Sequence, residues 1–122
     1  MTPSKFIDAS RATDMPNLDY SPVSKRLSED GRLLRMVHMA IGMNGEAGEV
    51  IDLLKKSMVY GKPLDEIKLK KEIGDVLWYV ANLIDALGSS FEEVMQMNVD
   101  KLAERYPNGF TEADALERKD MK

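Results

Sequence analysis

A chain of 122 residues holds one hydrophobic core and is too short for two domains; with 43% hydrophobic and 31% charged residues it has the balance of a globular protein. Seventeen Lys and Arg against 21 Asp and Glu leave a net charge of −4, which argues against a basic nucleic-acid groove. Without Cys and with one His, the chain has no disulfide, thiolate nucleophile or His-rich centre, so a metal site must be built from oxygen ligands.

In chain order, residues 1–27 read as an irregular arm, because Pro3, Pro16 and Pro22 stand among Ser, Thr, Asp and Asn. Ser28 before Glu29 and Asp30 predicts a helix start, and apolar residues at Leu33, Leu34, Val37, Ile41, Val50, Leu53 and Leu54 carry that helix to about Ser57. Gly61 before Lys62 and Pro63 marks a turn. A second helix then runs from Pro63–Asp65 to Leu87, with Ile73, Val76, Leu77, Val80, Leu83, Ile84 and Leu87 on one stripe and Gly88 as its stop. Ser90 with Glu93 forms a capping box for a third helix, whose stripe is Phe91, Val94, Met95, Asn98, Leu102 and Tyr106, and Pro107-Asn108-Gly109 ends it. Residues 111–122, opening with Thr111 and Asp114, are a tail or a short helix. No apolar run approaches the roughly 20 residues that cross a bilayer, and the amino terminus lacks the order of a signal peptide. A cytoplasmic protein with no membrane partner is the expectation. The fold class is all-α: a helical bundle over residues 28–110 whose long helices carry paired carboxylates, and whose core is completed by oligomerisation.

The first long helix contains GEAGEV, which sets Glu46 and Glu49 on one face; the second contains EIGDV, which does the same for Glu72 and Asp75. Acidic pairs usually lie on a solvated face. Glycine inside a helix costs about 1 kcal/mol relative to Ala, so Gly45, Gly48 and Gly74 beside these acids predict a close approach of a backbone or a ligand. Antiparallel packing of the two helices brings four carboxylates together. At about 5 Å and an effective dielectric near 20 each pair repels by roughly 3 kcal/mol, so the cluster takes up protons or binds cations, Mg²⁺ or Mn²⁺ for an oxygen-only donor set. Mg²⁺ shares its shell readily with substrate phosphates and activates water as a nucleophile.

Groups to hold phosphate follow on the same faces. Lys56 lies two turns beyond Glu49, and His38 falls on that stripe before it. Tyr79 and Asn82 continue the stripe of Glu72 and Asp75, with Trp78 placed either to stack on a base or to pack in the core. Asn98 interrupts the apolar stripe of the third helix and is expected to be buried with a specific polar partner, with Lys101 and Arg105 following on its face.

These residues resemble the MazG-like group of the all-α nucleoside triphosphate pyrophosphohydrolases. The likeness rests on GEAGEV, EIGDVLWYV and NVDKLAERYP, and covers about Met36 to Phe110. It implies a homodimer or homotetramer that splits a nucleoside triphosphate between the α and β phosphates, releasing nucleoside monophosphate and pyrophosphate. It makes Glu46, Glu49, Glu72 and Asp75 the Mg²⁺ ligands, one first-helix glutamate also orienting the attacking water, and gives Asn98, Lys101, Arg105 and Tyr106 the phosphate side. Two alternatives are a Mg²⁺-dependent hydrolase of another phosphorylated nucleotide, such as an alarmone, and a non-catalytic helical dimerisation module.

Overall fold

The computed structural model describes residues 1–15 and 18–121, so Pro16 of the arm lies outside the described residues. Among these residues there are six α-helices and no β-strand: α1 Pro3–Arg11, α2 Ser21–Glu29, α3 Gly31–Tyr60, α4 Glu66–Ala86, α5 Phe91–Arg105 and α6 Glu112–Glu117, then a 3₁₀ turn over Lys119–Met121. No helix among them is long and apolar enough to cross a membrane. The chain divides into two compact units, Met1–Leu34 and Arg35–Lys122.

In the first unit the arm is helical and not irregular. Its prolines begin helices: Pro3 opens α1 behind Thr2, whose hydroxyl accepts the Lys5 N–H, and Pro22 lies in the first turn of α2. Proline suits that position because its missing N–H would have no helical partner there. Ser28 does not cap the next helix. Its hydroxyl donates to the Lys25 carbonyl inside α2, and Asp30 caps α3 by accepting the Leu33 N–H at 3.0 Å.

In the second unit α3 extends to Tyr60, one turn past Ser57, until Gly61 at φ +67° leaves the helix. Asp65 caps α4 by accepting the Lys68 N–H, and Gly88 at φ +71° ends it. Ser90 caps α5 by accepting the Glu93 N–H, while the Glu93 carboxylate takes the Ser89 hydroxyl, so only half of the capping box forms.

Side-chain contacts pin α3 against α4 in antiparallel register. Arg35 donates to Asp85 at 2.8 Å and to Asn82 at 3.1 Å, and Asn82 donates to the Trp78 carbonyl at 2.9 Å. Two turns further along α3, Gly42 faces Tyr79: a Cβ at this position would lie 2.1 Å from the ring. One more turn brings Glu46 to Glu72 and Asp75. The close backbone approach expected at Gly45, Gly48 and Gly74 is not made, since a Cβ at these three meets nothing within 4 Å; Gly42 instead admits the Tyr79 side chain.

Burial is sparse. Among the described residues only Met39, Ile84 and Ala86 are buried. The α5 stripe is uncovered, and Asn98, expected inside it, is exposed. The reason is geometric: α5 packs against α4, α6 and the terminal turn, and those contacts leave its apolar face open.

The tail is ordered by local rules. Thr111 caps α6 by accepting the Asp114 N–H, and Arg118, at φ 54°, turns the chain back. Asp120 then accepts two hydrogen bonds from Arg105, Nε to Oδ1 and Nη2 to Oδ2, each 2.7 Å. Its side chain is fully covered, and the Arg105 bond brings its carboxyl down to about 2.

Two outcomes follow. In urea unfolding, Gly42→Ala should cost about 1–3 kcal/mol through overpacking against Tyr79, whereas Gly74→Ala should gain up to about 1 kcal/mol of helix propensity; equal effects would contradict the register lock. Because its folded pKa is depressed, the Asp120 contribution is whole above the ordinary value of 3.8 and is lost as pH falls through about 2. The Met121 amide resonance should move across that window, and a flat profile would refute the latch.

Candidate functional site

The register described above sets Glu46 on α3 opposite Glu72 and Asp75, one turn apart on α4. Each of the three brings a carboxylate oxygen within 4.8 Å of the others. Glu46 and Glu72 are half-buried, and Asp75 is exposed. Desolvation pushes the Glu46 carboxyl up, and the charges of Asp75, Glu72 and Glu49 push it further the same way. Crowded carboxylates make a hard, anionic, all-oxygen donor set, the chemistry that suits a divalent ion such as Mg²⁺.

The fourth acid stands apart. Glu49, one turn past Glu46 on α3, is exposed and outside the cluster. Its charge still reaches Glu46 on one side and Lys56 on the other. The expected convergence of four acids is thus three, with Glu49 at the edge.

The expected phosphate and base groups fall into different surroundings. Lys56 is held by Asp52 on its own helix at 2.7 Å, a bond that raises its pKa, and His38 is exposed. Trp78 is 56% exposed and meets Tyr79 edge-on at 4.9 Å, a face open to a stacking base. Asn82 is engaged in the Arg35 bridge, and Tyr79 in the contact with Gly42. On α5, Asn98 and Lys101 line a cleft of about 920 Å³ beside the end of α4, which includes none of the three clustered acids. Arg105 is bonded to Asp120, and Tyr106 packs on Phe110 at 5.3 Å with the Arg105 guanidinium 5.7 Å from its ring.

Two residues that shape these groups escape a reading of the sequence. Arg35 reaches its partners 47 and 50 residues away, and Asp120 reaches Arg105 only because of the left-handed turn at Arg118. Neither lies in a periodic pattern, so no local signal marks them.

Residues 37–110 match the MazG nucleotide pyrophosphohydrolase domain. The Gene 37 protein of Mycobacterium phage L5 is 35% identical over 78 residues, which span 59% of this chain and 67% of that protein. No solved structure matches. The matched segment takes in the acid cluster of α3 and α4 together with the Asn98–Tyr106 motif of α5, and on that ground the chain belongs to the MazG nucleotide pyrophosphohydrolase family.

Proposed function

We propose that this protein is a Mg²⁺-dependent pyrophosphohydrolase of a nucleoside triphosphate, releasing the monophosphate and pyrophosphate. The observation that carries this reading is the meeting of Glu46, Glu72 and Asp75 within 4.8 Å inside a MazG domain. These three carboxylates would hold the cation, which when bound offsets phosphate charge and acidifies water. Manganese fits the same oxygen donors.

The residues of the chain divide the remaining work. Glu49, beside the cluster and outside it, orients the attacking water and takes its proton. The open face of Trp78 receives the base. Asn98 and Lys101 meet the phosphates, with Arg105 and Tyr106 at the end of the same helix; Lys56 and His38 border the stripe on α3. A nucleoside triphosphate substrate puts the reaction in the cytoplasm.

The functional unit is a homodimer or a homotetramer. Support comes from α3, where Ile51 is 65%, Leu54 44% and Met58 81% exposed along one helical stripe. A second copy would cover this stripe, and a solvated face does not call for it.

Four measurements test this reading. Glu49→Gln should lower kcat by about 100-fold or more while Mg²⁺ affinity stays near that of the unaltered protein, the loss expected of a general base. Asp75→Asn should lose Mg²⁺ binding and activity together; unchanged turnover in both variants, or orthophosphate as the product, would overturn the assignment. Mg²⁺ at about 100 times its dissociation constant should stabilise the folded protein by about 2.7 kcal/mol, read as a rise in the melting temperature that Asp75→Asn abolishes. In sedimentation velocity, Ile51→Asp should convert the oligomer to a monomer.

A further inference from the structure

The MazG match ends at residue 110, yet the chain beyond it returns to the last cation of the α5 motif. Asp120 occupies one edge of the Arg105 guanidinium, binding Nε and Nη2. A guanidinium has five N–H donors, so three are left, two on Nη1 and one on Nη2, with the Tyr106 hydroxyl also hydrogen-bonding to the group. The Asp120 carboxylate is fully covered, and Arg118 also approaches it, with Nε 3.6 Å from Oδ1. Two arginines around one carboxylate keep a net positive charge. The cleft that Asp120 borders is lined by Asn98 and Lys101 of the motif together with Glu93, Asp100 and Glu104, so a cation held at its edge is what an anion would need there.

We propose that Asp120 is a positioning residue for phosphate binding: it fixes the Arg105 guanidinium by one edge so that its other N–H groups meet a phosphate of the nucleotide. This rests on the reading of Arg105 as a phosphate-side cation and extends it to a residue outside the family domain. A flexible arginine loses several rotatable bonds on meeting a phosphate. One already clamped loses fewer, and its planar fork suits the oxygens of a phosphoryl group.

The test uses the full chain, with inorganic pyrophosphate in the presence of Mg²⁺ as the binding probe. Asp120→Asn should weaken pyrophosphate binding about tenfold and raise the nucleotide KM by a similar factor, with kcat within about threefold and Mg²⁺ affinity unchanged. The exchange variant R105D/D120R restores an ion pair between the tail and α5 but moves the cation off the helix. It should regain the melting temperature and still bind pyrophosphate as weakly as Asp120→Asn.

Recovery of pyrophosphate affinity in the exchange variant would overturn the proposal, because any ion pair would then suffice. Affinity in Asp120→Asn equal to or tighter than that of the unaltered protein would overturn it too, tighter binding meaning that the carboxylate competes with phosphate. Absence of pyrophosphate binding by the unaltered protein would also refute it. If pyrophosphate binds with the expected dependence but no nucleoside triphosphate is hydrolysed, the hydrolase reading fails while the positioning role stands.

Discussion

Like charges crowded on two facing helices are the constraint around which the second unit is arranged. Glu46, Glu72 and Asp75 sit close enough to repel, and the raised Glu46 carboxyl records both that repulsion and the loss of water around it. Lys56, further along α3, is held by Asp52 of its own helix. The arrangement is one that gains from a divalent cation, and the cationic residues of the motif gather on a different helix, α5.

What holds the acids in place is polar and steric more than hydrophobic. With Met39, Ile84 and Ala86 as the buried residues among those described, the alignment of α3 and α4 depends on the Arg35 bridge at one end and on the Gly42–Tyr79 contact in the middle. An ion pair with one partner largely exposed contributes about 0–1 kcal/mol, so its value here is in selecting a register. The uncovered apolar stripes of α3 and α5 are the counterpart of this thin core.

Much of the fold can be read from residue order alone, where the rules are local. Asp65, Ser90 and Thr111 cap helices because a side-chain oxygen is at hand for a free N–H, and Gly88 stops α4 because it tolerates a positive φ. The arm departs from this because Pro3 and Pro22, breakers inside a helix, each stand at a helix start. For the site, the i, i+3 spacing of Glu72 with Asp75 was enough to put both on one face. It was not enough to place Glu49, whose direction depends on how α3 rolls against α4. Burial of Asn98 was inferred from a stripe that one chain leaves uncovered. Gly42 could not be singled out, because propensity marks glycine as costly without saying which neighbour it admits.

The mid-helix lock has a consequence for how this scaffold tolerates change. Residues 61–65 join α3 to α4 without taking part in the Arg35, Gly42 or Glu46 contacts. Doubling that connector adds only about 0.6 kcal/mol of closure entropy, so insertions there are cheap. Sliding either helix by a single position is another matter, for it swings every side chain by about 100° and scatters the three acids. Lineages descended from this protein are therefore free to vary the length of the hinge, while the spacing from Arg35 to Glu46 and from Glu72 to Asp85 admits no insertion.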